Sequence, residues 1–340
     1  MKTRQLGATG PVVSAFGLGC MGMSDMYGPA DRAESLATFD AAVEAGITLI
    51  DTGDFYGMGH NEMLIGEALK NHKRDRLVLS VKTGALRDPA GGFLGYDGRP
   101  QAIKNFLAYS LKRLGVDHID IYRPSRLDPD VPIEDTVGAI AEMVQAGYVR
   151  HIGLSEVGAE TIRRAAKVAP IVDLQIEYSL VSRTVEAEIL PTLRELGIGM
   201  TAYGVLSRGL ISGHWTTQTA QGGRDFRAHS PRFQGENLAA NLKLAEALRA
   251  VAEAKGVTTA QAAIAWVASR GDDIVPLIGA RRRDRLAEAL GALEVSLTAE
   301  DLAAIEAAVP ATAVAGTRYA EAMMAHLDSE RGSRRGLHLG

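Results

Sequence analysis

Three side chains of very different proton affinity stand near the ends of two consecutive strand-like runs: Asp51 and Tyr56 in ITLIDTGDFYG, and Lys82 at the close of LVLSVKTG. An acid and an amine grouped with a phenol can lower the phenol's pKa, so that Tyr56 can give a proton to a carbonyl oxygen near neutral pH. That is the acid–base half of a carbonyl reduction. The plainer alternative is an ordinary Asp51–Lys82 ion pair with Tyr56 packed beside it, and the surroundings must decide between them.

The surroundings are rhythmic. Short β-rich runs (AFGLG, TLID, LVLSVK, IDIYR, HIGLS, VDLQIE, GIGMTAY, DIVPLIG) alternate with helical patterns, the first four of which fall near 31–46, 61–70, 100–114 and 134–147. Eight strand–helix units predict parallel strands with helical crossovers, hence a closed (β/α)8 TIM barrel within one α/β domain spanning residues 1–325. Gly46, Gly115, Gly147 and Gly197 stand where a helix must stop before a strand begins. RQLGATGPVVSA reads as an N-terminal hairpin closing the barrel bottom. Two long glycine-rich stretches, GALRDPAGGFLGYDGRP and about 206–234, are expected over the mouth, and helices at 236–255, 259–270 and 298–308 add a peripheral layer. Residues 326–340 are polar and glycine-rich, predicting a loosely ordered tail.

In such a barrel all strand C-termini meet at one face, and catalytic groups from different strands converge there. Asp51 and Lys82 end strands two and three. Residues 122–126 end strand four, Ser155 and Glu156 strand five, Gln175 lies near the end of strand six, Tyr203 ends strand seven and Gly279 strand eight.

Composition excludes several classes. A formal net charge of −4 argues against general affinity for nucleic acid or anionic membranes. No apolar run approaches the ~20 residues needed to span a bilayer, and MKTRQLGATG lacks the apolar core of a secretion signal, so a cytoplasmic protein is expected. The single cysteine, Cys20, is read as a small buried residue. The eight histidines show no paired ligand spacing, so no metal site is expected, and no G-x-S-x-G elbow points to nucleophilic hydrolysis. Oligomeric state is not legible.

Taken in order, RQLGATG, FGLGCMGM, IDTGDFYG, GHNEMLIGEAL, SVKTG, KRLGVDHIDIY, DPDVPIEDTV, AGYVRHIGLSE, LQIEYSL, PLIGARRR and AGTRY make the chain resemble an aldo-keto reductase over nearly its whole length. The resemblance implies that Tyr56 is the proton donor and that Lys82 and Asp51 tune it. It also implies an orienting histidine after strand four, where this chain instead reads Pro124, Ser125, Arg126, Leu127, Asp128, Pro129, so Ser125 takes the histidine's position. His118 cannot replace it, lying seven residues of strand, roughly 23 Å, away. A water held by Ser125, the positive charge of Arg126, or a loss of reductase activity would each account for the change; the first is preferred, because serine leaves room for a water.

A nicotinamide must supply the hydride, since no flavin or metal signature is present. The resemblance implies that Ser155 and Gln175 hold its carboxamide, that Tyr203 stacks on its ring, and that Leu206 and Arg208 also contact the cofactor. Glu156, Gly204 and Ala289 stand where relatives often have asparagine, serine and asparagine. The run Arg281–Arg285 opens a helix after strand eight, which suits a 2′-phosphate and hence NADPH/NADP⁺, with Arg281 and Arg285 as contacts and Gly279 allowing close approach. Met23, Tyr27, Phe55, Phe93, Tyr122 and Trp215 are expected to line a mostly apolar pocket for a bulky or hydrophobic small-molecule carbonyl. Two other readings remain: an NADP(H)-binding redox sensor with vestigial chemistry, and an enone C=C reductase.

Overall fold

The computed structural model describes residues 1–215 and 225–331. Eight parallel strands close into a barrel: β1 (Gly17–Gly19), β2 (Leu49–Gly53), β3 (Val78–Thr83), β4 (Ile119–Pro124), β5 (Val149–Ser155), β6 (Ile171–Glu177), β7 (Gly199–Tyr203) and β8 (Ile274–Ile278). Each pairs with its neighbour in chain order, and β8 closes on β1. The expected TIM barrel is therefore present.

The helices are α1 (Arg32–Glu44), α2 (His60–Leu69), α3 (Pro100–Leu114), α4 (Ile133–Gln145), α5 (Ala159–Ala166), α6 (Ile189–Leu196), α7 (Gly235–Ala254), α8 (Thr259–Ala268), α9 (Arg283–Leu290), α10 (Ala299–Ala308) and α11 (Glu321–Met324). Local chemistry sets several ends. Asp31 caps α1 through the Glu34 amide, and Thr258–Gln261 and Thr298–Asp301 form reciprocal capping boxes on α8 and α10. Gly115 ends α3 at φ 67°, a left-handed conformation that costs glycine nothing.

The barrel interior is stratified. Its lower layer is apolar: Leu49, Ile121, Val172, Val275 and Leu277 pack with Leu6 and Val13 of the hairpin Thr3–Gln5/Val12–Ser14, which seals the bottom as expected. Above it the inward positions turn polar. Because neighbouring residues in register share a face, the pairs Asp51–Ser80 and Lys82–Arg123 bring four polar side chains together inside the barrel. The outer core lies between strands and helices and includes Phe39, Leu64, Ile103, Ile140 and Trp266.

A second hairpin, Ala85–Arg87/Phe93–Tyr96, follows β3. Residues 326–331 depart from the loose tail expected of them. Leu327 packs with Tyr319 and Met324, Asp328 accepts from the Gly158 amide (2.8 Å), and Glu330 pairs with Arg318 (2.8 Å), so buried polar partners order this stretch despite its hydrophilic composition. Residues 332–340 lie outside the described residues. No helix among the described residues is long and apolar enough to cross a membrane.

Candidate active site

Asp51, on β2, is the hub of the barrel mouth. One carboxylate oxygen accepts from Lys82 Nζ; the other accepts from Ser80 Oγ (2.8 Å) and Gln175 Nε2 (2.7 Å). Lys82 Nζ also lies 5.2 Å from the centroid of the Tyr56 ring, and Phe55 meets that ring edge-on at 4.9 Å. The structure thus brings Asp51, Tyr56 and Lys82 together, with Gln175 tied to the acid. Tyr56 comes from the turn Tyr56–Gly59 that follows β2 and is buried.

The electrostatics differ from the expected lowered phenol. Burial pushes the Tyr56 pKa well above the ordinary phenol value, and the Asp51 charge pushes the same way, against a smaller opposing effect of Arg126. Lys82 shifts down, burial outweighing its bond to Asp51. Burial and the Asp51 charge both disfavour the phenolate, so Tyr56 is held protonated. A phenol kept neutral is ready to donate.

Beneath the trio lies a buried network that sequence reasoning missed. Arg123 donates to Asp173 Oδ2 (2.9 Å) and to Ser80 Oγ (2.9 Å), while Thr201 donates to Asp173 as well. A Cβ on Gly153 would stand 2.7 Å from Asp173 Oδ1 and 2.9 Å from Arg123 Cζ, so only glycine admits the pair. Arg123 could have been found from the two-residue alternation Ile121, Arg123, Ser125, which places all three on the inner face.

That alternation also corrects Tyr122. It points outward, fully buried, and its hydroxyl donates to the Ile103 carbonyl of α3 (3.3 Å), so it cannot line the mouth. Met23 is likewise packed into the core. Phe93 lies on the second hairpin, 43% exposed, against Tyr96. Tyr27 is bridged to Asp225, with the Arg227 guanidinium 5.5 Å from its ring; Trp215 stacks near Phe233 and also meets Arg227 (5.1 Å).

The mouth is much more polar than expected. The Tyr203 hydroxyl bonds to Glu156 (2.6 Å) and to Tyr319 (2.9 Å). Glu156, at φ 53°, is clasped by both terminal nitrogens of Arg318 (2.9 Å each), which hold its carboxyl far below the ordinary range although burial alone would raise it. Arg318 and Tyr319 could not be placed from sequence, because they meet β5 from some 160 residues further along the chain; Glu156 and Arg318 are 162 residues apart.

Two more expected cofactor contacts are engaged otherwise. Arg208 pairs with Glu177 (3.0 Å) and lies 4.6 Å from the Tyr319 ring, and Leu206 packs on the core. In the basic run, Arg283 pairs with Glu34, Arg282 with Asp284, and Arg285 with Glu288 (3.2 Å). Arg281 has no carboxylate at ion-pair distance among the described residues; it donates to the Gly28 and Pro29 carbonyls (2.7 and 3.0 Å). A Cβ on Gly279 would meet nothing within 4 Å, so open space faces the end of β8.

Ser155, at the end of β5, is fully buried with no hydrogen-bond partner for its hydroxyl among the described residues, and Ser125 is in the same condition at the end of β4. Buried hydroxyls are ordinarily satisfied, so these two suit groups that come from outside the chain. No group of three or more His, Cys, Asp or Glu among the described residues is placed to hold a metal ion.

Comparison with known proteins places these features in context. The Aldo/keto reductase family matches residues 15–310. The chain is 41% identical over 281 residues, covering 82% of it and 80% of the relative, to probable aldo-keto reductase 1 of Glycine max. Its fold is similar to a glycerol dehydrogenase from Gluconobacter oxydans (TM-score 0.81, 27% identity, 96% of each chain) and to the holo form of an aldo-keto reductase from Bacillus halodurans (TM-score 0.76, 28% identity, 92% of this chain and 97% of that one).

Proposed function

This chain belongs to the aldo/keto reductase family of oxidoreductases, and from that premise we propose that it reduces an aldehyde or ketone to the alcohol with NADPH, Tyr56 donating the proton. The observation that carries this reading is the Asp51–Lys82 pair set against a buried, protonated Tyr56 at the open end of the barrel.

NADPH supplies a hydride when bound, and the protein's residues do the rest. Tyr56 gives its proton to the oxygen as negative charge builds there. Lys82 then steadies the phenolate, and Asp51 keeps the ammonium in place. Ser155 offers its unpartnered hydroxyl to the carboxamide, Gln175 stands beside it on β6, and Tyr203, anchored by Glu156, presents its ring. Ser125 supplies one hydrogen bond, directly or through a water, at the position the resemblance gives to histidine.

For the 2′-phosphate, Arg281 is the best-supported contact, since it has no carboxylate at ion-pair distance among the described residues, and Arg285, which pairs with Glu288, is the second. We expect Arg281→Ala combined with Arg285→Ala to abolish preference for NADPH over NADH. An unchanged ratio of the two kcat/KM values would remove the phosphate from this site.

Reductive kcat should be flat through neutral pH and fall on the alkaline side. Tyr56 stays protonated beyond the ordinary phenol value, whereas Lys82 titrates below the usual lysine value of about 10.4. Loss of the ammonium leaves Asp51 unneutralised beside the developing charge. A kcat profile at saturating NADPH tests this; an alkaline limb beginning only above that lysine value would exclude Lys82 as its source.

The redox-sensor reading draws support from Ser125 alone. Ser125→His separates the two: turnover in the wild type that disappears in Tyr56→Phe marks an enzyme, whereas turnover that arises only on introducing histidine marks a sensor.

A further inference from the structure

Several cations around the barrel mouth are paired with carboxylates. Lys82 has Asp51, Arg123 has Asp173, Arg208 and Arg232 have Glu177, and Arg318 has Glu156 and Glu330. Arg126, half-buried after β4, has no carboxylate within ion-pair distance among the described residues. Its guanidinium donates to the Ser125 carbonyl (2.6 Å) and, at 3.4 Å, to the Tyr319 hydroxyl, whose ring centroid is 6.0 Å away. A guanidinium has five N–H donors, and two are accounted for. Against its burial, Tyr203, Tyr319 and the Glu156 charge favour the guanidinium, but Arg126 makes no ion pair with any of them, and its remaining N–H donors point to an anion that arrives with a ligand.

Two observations identify that ligand as substrate and not cofactor. Strand order puts β4 directly across the barrel from β8, and cofactor phosphates in barrels of this type gather after strands seven and eight, where Arg281 lies. Arg126 also acts electrostatically on Tyr56, Lys82 and Tyr96, so its charge is felt at the proton donor itself. Arg126 directly follows Ser125, the residue at the orienting position, and reaches Tyr319, which bonds to Tyr203, so its guanidinium belongs to the same mouth as the proton donor.

We propose that Arg126 is a carboxylate-binding residue that selects carbonyl substrates carrying an adjacent anionic group, 2-oxo acids above all. This rests on the reductase reading and narrows it, replacing the hydrophobic carbonyl expected from sequence. The guanidinium grips the carboxylate through paired N–H donors, and the Tyr319 hydroxyl borders the same space. The chemistry is the two-electron reduction: hydride passes to the 2-carbon, the Tyr56 proton to its oxygen, NADPH becomes NADP⁺, and the carboxylate emerges unchanged in a 2-hydroxy acid.

Phenylglyoxylate and its methyl ester share one aryl ketone and differ in charge, so the ratio of their kcat/KM values isolates the anion. The wild type is expected to favour the acid, Arg126→Gln to lower that ratio on the order of 10²-fold, mainly through KM for the acid, and Arg126→Lys to restore part of it. No preference in the wild type, or an equal fall for acid and ester in Arg126→Gln, would overturn the proposal, the latter by making Arg126 an activator of the carbonyl oxygen. Calorimetric binding of mandelate, with and without NADP⁺, decides the matter without turnover: weaker binding in Arg126→Gln supports the site, and unaltered binding rejects it. Absence of reduction for both ketones together with Arg126-dependent mandelate binding would defeat the reductase reading and leave the anion site standing.

Discussion

Tyr56→Phe is expected to lower carbonyl reduction by about 10²–10⁴-fold while leaving NADPH affinity within a few-fold. The substitution removes one oxygen and keeps the ring that Phe55 meets edge-on and Lys82 faces, so packing survives and only the proton donor is lost. Among the described residues no neighbour offers a ready replacement: Lys82 is bound to Asp51, and Ser125 carries a hydroxyl that has no base to recharge it. The effect should fall on kcat, because the proton moves only as charge develops on the oxygen. Steady-state turnover paired with fluorescence titration of NADPH makes the measurement. Retention of most of the wild-type kcat would mean that the proton comes from elsewhere, and the whole assignment of roles to Asp51, Tyr56 and Lys82 would fall with it.

Arg123→Met is expected to cost about 3–5 kcal/mol of folding stability, a large share of the ~5–15 kcal/mol that holds a typical domain together. The loss comes from what remains. Asp173 would keep its charge in the barrel interior with Thr201 as its side-chain donor, and Ser80 would lose the guanidinium that fixes its hydroxyl toward Asp51. Removing both charges in Arg123→Met/Asp173→Leu should recover most of the stability, since two apolar side chains of similar volume carry no desolvation cost. Urea unfolding of the single and double variants checks both statements, and a single variant within about 1 kcal/mol of wild type would show that water already reaches this layer. If Arg123 also positions Asp51 through Ser80, the stabilised double variant will still reduce carbonyls more slowly than wild type.

The barrel was legible because its determinants are local and repeated. Each strand–helix unit announces itself within about 30 residues through alternation, a terminating glycine such as Gly115, and a polar cap such as Asp31. Asp51, Tyr56 and Lys82 were legible for the same reason: Asp51 and Lys82 lie on consecutive parallel strands and Tyr56 on the turn that follows the first, so the three share one end of the barrel. Tyr122 was misplaced because its apolar ring was weighed more heavily than its phase; one residue of offset from Arg123 sends it to the helices.

What sequence alone determined is therefore the scaffold and the trio at its open end, since short-range periodicity and strand order dictate both. Only tertiary structure decided the character of the mouth. Whether Tyr56 ionises easily depends on burial, which no spacing encodes, and the polarity of the rim depends on Arg318 and Tyr319 folding back onto Glu156, Tyr203 and Arg126 from the far end of the chain. Whether Arg126 meets a carboxylate is a property of that closure, because pairing is settled by distances between residues that the sequence keeps far apart.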